Sequence, residues 1–364
     1  MRVKDVVAEL EQFADPALKE DYDNVGLLVG SAEKEVTGVL VTLDVTMDVL
    51  DESIENDLNL IVAHHPLIFR GLKNITDRTE TGRIILKAIK HDIAIFAGHT
   101  NVDSVPEGVS GMMAKKLGLI NISILSPAKN RLLKLVTYVP GNHADKVRNA
   151  IFQAGAGTIG NYDSCSYNMS GTGTFRAGEN TNPFVGKKGE LHFEPEVRIE
   201  TVLPGFIKNR VVTAMLDAHP YEEVAYDIYQ LENEWYGAGL GITGELEQPV
   251  DEIVFLNKLK KIFDVNCIKH TELLDKPVKK IALCGGAGSE FLKNAIRVGA
   301  DVFVSGDFKY HQFFDAEKRI LIADIGHFES EQFTKELFFE ILTKKFSNFA
   351  IRLSEVNTNP IKYF

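Results

Sequence analysis

Leu58-Asn59-Leu60-Ile61-Val62-Ala63-His64-His65-Pro66, residues 58–66, runs through a short apolar stretch and ends on two adjacent imidazoles and a proline. A run of this length with β-branched members suits a strand buried on both faces, as in parallel sheets covered by helices. Pro66 cannot donate to a strand ladder and marks the break into a loop. Neighbouring side chains on a regular strand point to opposite faces, so His64 and His65 can address one site only at such a break.

Similar runs lie on either side. Val39-Leu40-Val41-Thr42-Leu43 precedes it and Ile93-Ala94-Ile95-Phe96-Ala97 follows, with helix-period segments at Met47 to Glu55 and near Thr81 to Lys90 between them. The last third repeats the alternation through Lys280 to Cys284, a helix near Glu290 to Val298, Asp301 to Val304, a helix near Tyr310, Arg319 to Ala323 and a long helix to about Lys345. From about Ala128 to Gln248 the texture changes to glycine-rich polar loops and short alternating strands. Strand Leu133 to Val139, helix His143 to Ala154, strands through Cys165 to Phe175 and Glu190 to Val197, helix Arg210 to Ala218 and strand Tyr226 to Leu231 give a βαββαβ, ferredoxin-like order. The expected fold is an α/β core with a mixed or mainly parallel sheet, discontinuous over 1–127 and 249–364, interrupted by an α+β insertion at 128–248.

With 51 Asp and Glu against 40 Lys and Arg, the formal charge of −11 gives no general attraction to nucleic acid or anionic lipid. The absence of a signal-like start and of any run of membrane-spanning length predicts a cytoplasmic protein without membrane partners. Three dispersed cysteines, Cys165, Cys267 and Cys284, argue against a disulfide framework and a thiolate zinc site. Any metal would be held by His and carboxylate.

Gly326-His327-Phe328-Glu329-Ser330-Glu331 supplies an imidazole and a carboxylate four apart at a helix start, hence on one face. Glu329 is only two residues from His327 and belongs to another face, so Glu331 is the preferred ligand. In Gly98-His99-Thr100-Asn101-Val102-Asp103, Asp103 is a third source of oxygen, with helix capping after Pro106 as its competing duty. All three segments lie at the carboxyl ends of predicted strands, where open α/β sheets place their ligands. His64, His65, Asp103, His327 and Glu331 are therefore the expected metal ligands, enough for two divalent ions about 3.5–4 Å apart. Zinc is the base-rate choice, with iron, manganese, cobalt or nickel equally compatible with such donors.

Four further loops carry chemistry-bearing residues. Cys284-Gly285-Gly286-Ala287-Gly288-Ser289 would either cradle an anion on its backbone N–H groups or make a tight turn. Ser305-Gly306-Asp307-Phe308-Lys309-Tyr310-His311 places Asp307, Lys309 and His311 near the same rim, as partners orienting the ligands or touching substrate. Asp21-Tyr22-Asp23-Asn24-Val25-Gly26 reads as a turn able to approach the cleft, and His219-Pro220-Tyr221-Glu222-Glu223 as a structural loop or rim.

In combination, Tyr22-Asp23-Asn24-Val25-Gly26, His64-His65-Pro66, Gly98 to Asp103, Cys284 to Gly288, Ser305-Gly306-Asp307 and Gly326 to Glu331 resemble the Ngg-interacting-factor-three-like proteins, also called GTP cyclohydrolase I type 2 homologs. The resemblance implies a dinuclear centre on the same five ligands, a PII-like inserted domain containing His219 to Glu223, and a toroidal homohexamer whose metal sites face an inner cavity. Three classes of function follow. One is a metal-dependent hydrolase or cyclohydrolase acting on a nucleotide or related small molecule through metal-bound hydroxide, with His99 or His311 as candidate proton donor. Another is a metal- or metabolite-binding regulator without catalysis. The third is an assembly protein whose ions stabilise the fold.

Overall fold

The structure, a computed structural model, describes residues 1–363. Its chain divides into two compact units, one formed by Met1–Ser126 with Ala238–Phe364 and the other by Pro127–Gly237. The return boundary falls earlier than the expected 248 because Trp235–Val250 is one strand, and Ile242 to Glu245 pair antiparallel with Leu283 to Lys280. That stretch belongs to a core sheet, whose ladder a sequence pattern cannot reveal.

The larger unit contains two sheets. In the first, Leu60–Ala63 pairs in parallel with Val39–Thr42 and Ala94–Ala97, Ile351–Leu353 adds in parallel outside Val39–Thr42, and Gly26–Val29 closes the other edge antiparallel. All four residues of each of the three central strands are buried, which is why they are continuous apolar runs with no alternation. The helix Glu80–Lys90 lays Ile84, Ile85 and Ala88 on this sheet, and Thr79 starts it by accepting from the Gly82 amide. Met47–Glu55 is capped likewise by Thr46.

In the second sheet, Val302–Gly306 lies between two parallel neighbours, Val278–Ala287 and Leu321–Asp324, beyond which Trp235–Val250 and Lys269–His270 pair antiparallel with them, and Ile120–Ala128 lies outside Trp235–Val250. Alternate residues build the two faces: Ile281, Leu283, Val302 and Val304 enter one core, Ala282, Cys284, Phe303 and Ile322 the other. Both sheets are thus mixed with parallel centres, as the alternation of strands and helices predicts, but the core holds two sheets where one is expected, since which strands pair across the chain is not written in their local pattern.

The smaller unit has the predicted βαββαβ order, in one antiparallel sheet. Leu132–Pro140 sits between Leu191–Pro204 and Tyr226–Leu231, and Ser166–Arg176 lies outside Leu191–Pro204. Helices Ala144–Gln153 and Lys208–Ala218 cover one face through Val147, Ile151, Val211 and Met215, packed on Leu135, Val139, Ile199 and Leu203. Among the described residues no helix is long and apolar enough to cross a membrane.

Candidate metal centre

Carboxyl ends of parallel strands from both sheets of the larger unit supply one cluster. At the end of Leu60–Ala63 the His64 and His65 amides both donate to the Leu43 carbonyl, at 3.2 and 2.9 Å. This breaks the strand alternation, and the two rings lie with centroids 4.9 Å apart. His99 follows Ala94–Ala97 and leads into the short helix Thr100–Asp103. Leu321–Asp324 leads into the helix His327–Glu331, on which His327 Nε2 and Glu331 Oε2 lie 3.1 Å apart across one turn.

Glu331 is the hub. Its Oε2 is 2.9 Å from His65 Nε2, while its Oε1 is 3.8 Å from His64 Nε2, itself 3.7 Å from Asp103 Oδ1. Two groups result, His65 with His327 and Glu331, and His64 with Asp103 and Glu331, the ligand atoms of each lying within 4.8 Å of one another. A third such group is His64 with His65 and His99. The five expected ligands are therefore brought together, and His99 lies beside them.

Every imidazole is held by its other nitrogen. His64 Nδ1 lies 2.8 Å from the Gly98 carbonyl, His65 Nδ1 2.7 Å from Asp44 Oδ1, His99 Nδ1 2.9 Å from Asp23 Oδ1 and His327 Nδ1 2.8 Å from Asp307 Oδ2. Such outer contacts fix ring orientation and tautomer around metals. For His64 the carbonyl can only accept, so Nδ1 carries the proton and Nε2 offers its lone pair. Asp23 is itself pinned by the Thr100 amide and hydroxyl, and Asp44 by the Thr358 hydroxyl.

Several buried polar atoms of the cluster are left unpaired. His64 Nε2, Asp103 Oδ1 and Glu331 Oε2 are buried without a geometrically acceptable hydrogen-bond partner, a condition that costs about 1–3 kcal/mol per group unless a ligand relieves it. Burial raises the Glu331 pKa, but the imidazoles of His327, His64 and His65 around it outweigh that and hold the carboxyl well below its usual range. Burial lowers the His65 pKa, yet Asp44 and Glu331 push it up to about 10; Glu331 and Asp307 likewise take His327 to about 9 against burial. Burial pushes the Asp103 carboxyl up. Nitrogen and oxygen donors with unmet valence, converging from fixed supports, fit a divalent cation.

The structure decides between the alternatives at several positions. Asp103 does not cap the next helix, Val109–Leu117, whose N-cap is Gly108. Glu329 turns away and accepts from Asn359 Nδ2 at 3.0 Å. His311 is exposed on Tyr310–Ala316 against Tyr310 and Phe314 and lines no part of the cavity, so it is not near the reacting space. The glycine run is no anion cradle: the amides of Gly285, Gly286 and Gly288 donate to the hydroxyls of Ser110, Ser330 and Ser305. Its glycines serve close packing instead. A Cβ on Gly286, at φ +63°, would lie 2.2 Å from Glu331 Oε1.

Asp44 escaped sequence reasoning although it too follows a parallel strand, Val39–Thr42, and that position was its signal. The ligands open into a cavity of about 410 Å³, with Tyr22, Phe69, Cys284, Glu290 and Phe291 on its walls. Among its lining residues there is no Lys or Arg.

Comparison with known proteins fits these features. A family model described as Duf34/NIF3 (NGG1p interacting factor 3) matches residues 1–360. The chain belongs to the Duf34/NIF3 family. Duf34/NIF3 relatives named "GTP cyclohydrolase 1 type 2 homolog" include one from Halalkalibacterium halodurans, 44% identical over 98% of each chain. Another, from Bacillus subtilis, is 41% identical over 98% of this chain and 97% of its own. The crystal structure of a Bacillus cereus protein related to NIF3 superposes with a TM-score of 0.85 at 39% identity, covering 100% of this chain and 99% of the other.

Proposed function

We propose that the protein is a metal-dependent hydrolase of the cyclohydrolase type, holding two divalent cations and acting on a nucleotide or related small molecule. The observation that carries the reading is the set of buried ligand atoms left without hydrogen-bond partners, His64 Nε2, Asp103 Oδ1 and Glu331 Oε2. One cation would be held by His64, Asp103 and Glu331, the other by His65, His327 and Glu331. Such ions supply Lewis acidity and lower the pKa of water at neutral pH. Zinc is the expected metal, with iron, manganese, cobalt and nickel suited to the same donors.

The chain's own residues divide the remaining work. Asp23 orients His99, which lines the cavity beside His64 and is placed to carry a proton to or from a substrate nitrogen. Tyr22 and Phe69, with ring centroids 6.2 Å apart, offer aromatic surface at the cavity wall. With no Lys or Arg in the lining, a phosphate chain finds no protein cation in this cavity and would have to be met by the cations themselves.

The test is metal content by mass spectrometry on protein purified without added metal or chelator, beside a His65→Ala, Glu331→Ala double variant. About two ions per chain in the parent, and their loss in the variant, is the expected result. A parent that holds no metal and takes none up on titration overturns the proposal. A metal-loaded parent inert toward nucleosides, nucleotides and phosphoesters would favour the regulatory reading.

A further inference from the structure

The inserted unit contains a second cleft, of about 580 Å³, built wholly from its own residues. It lies on the sheet face opposite the two helices. Along Leu191–Pro204, Val197 and Ile199 enter the helix-covered core, so Glu196 and Arg198 project from the other face, about 6.6 Å apart along the strand. Tyr138 and Met169 flank Arg198 in register on the neighbouring strands, and Gly171 stands opposite Glu196. Glycine weakens a strand unless the space above it is wanted. Beyond Gly171 a Cβ would meet nothing within 4 Å.

Three rings wall the cleft. Tyr221 lies 6.4 Å from Phe175 and 6.2 Å from Phe184, centroid to centroid. The Tyr221 hydroxyl donates to Glu196 Oε1 at 2.8 Å, and the Asn182 amide donates to Glu222 at 2.8 Å, tying the segment that carries Phe184 to the one that carries Tyr221. Glu196 keeps its other oxygen for a donor. Arg198 is engaged with Glu200 through one terminal nitrogen, at 2.7 Å, while its Nε is buried with no acceptor.

A carboxylate beside a guanidinium, under aromatic walls, selects a flat ligand with adjacent donors and acceptors in its plane. Carboxylates accept from paired N–H groups, guanidinium donates in bidentate fashion to the O6 and N7 acceptors of guanine, and rings stack on either. We propose that this cleft binds a planar heteroaromatic ring with the hydrogen-bonding edges of guanine, its N–H donors on Glu196 and its acceptors on Arg198, stacked against Phe175, Phe184 and Tyr221. This site shares no residue with the metal centre and does not depend on metal binding.

Isothermal titration calorimetry of the full chain with guanosine and adenosine tests it. Guanosine should bind saturably, one per chain, and adenosine, whose donor and acceptor at positions 6 and 1 are the reverse of guanosine's, at least about tenfold more weakly. Glu196→Gln should weaken guanosine by a similar factor without changing metal content. Phe184→Ala, at a half-exposed ring whose loss spares the core, should weaken both nucleosides several-fold, and decides the matter if the Glu196 variant does not fold. Absence of saturable heat with guanosine, equal affinity for adenosine, or undiminished binding in folded Glu196→Gln and Phe184→Ala overturns the proposal.

Discussion

His64 and His219 are both buried imidazoles, one in each unit, and their nitrogens are employed differently. His219 Nε2 donates to the Tyr138 carbonyl at 3.0 Å and Nδ1 accepts from the Tyr221 amide at 3.1 Å, so the ring is fully used in closing a loop. His64 is anchored on one side only, by Gly98, and its Nε2 meets no partner. A buried histidine with both nitrogens bonded is a structural strut. His64, with one nitrogen unpaired, is free to take the ligand role proposed for it, and Glu331 likewise keeps a buried oxygen without a partner whereas Glu329 accepts from Asn359.

The largest effect should come from disturbing Glu331, the hub that the two proposed metal subsites share. Gly286→Ala places a Cβ against Glu331 at a backbone angle that favours glycine, and bound metal should fall from about two ions per chain to nearly none. Gly171→Ala, in open space, should leave metal content untouched. If both variants keep their metal, Glu331 is not the shared ligand.

The two histidines can then be exchanged directly. His64→Ala should lose metal, read by mass spectrometry, whereas His219→Ala should keep it and instead lose about 1–3 kcal/mol of stability through the carbonyl and amide it leaves unpaired, read by chemical denaturation. Metal loss on replacing His219 would break the comparison. A smaller effect belongs to the anchors: Asp44→Ala and Asp307→Ala should weaken metal binding by about 10–100-fold while the ligands remain. Affinities equal to the parent's would mean that neither carboxylate orients its imidazole.

The smallest effect concerns pH. Burial holds His219 below its ordinary pKa against the Tyr138 hydrogen bond, so as pH falls the unfolded chain takes up the proton first. The stability tied to this residue is therefore whole above about pH 6.5 and declines as pH drops toward the folded value. Denaturation midpoints of the parent should fall more between pH 7.5 and 5.5 than those of His219→Ala. Identical slopes would remove the imidazole from the account.

Much of this was legible in the chain because it depends on short-range pattern. The apolar run before His64 and Pro66 specifies both the strand and its break, and four-residue spacing puts His327 and Glu331 on one face. What stayed hidden depends on pairing across long separations. The serines that occupy the amides of Gly285, Gly286 and Gly288 come from positions 110, 330 and 305, so a glycine run that looks like an anion cradle is in fact filled. The boundary near 237 was invisible for a related reason: Trp235–Val250 carries no break in its strand pattern.

Chain order gives the His65–His327 contact, across 262 positions, a bearing on biosynthesis. The whole inserted unit, Pro127–Gly237, emerges from the ribosome between the two halves of the metal centre. That unit can complete its own core while His64 and His65 still wait for their partners, since domains fold as units in the order they are made. On the proposed function the histidine pair is an incomplete chelator during that interval, and metal capture would be a late event in the life of the nascent protein.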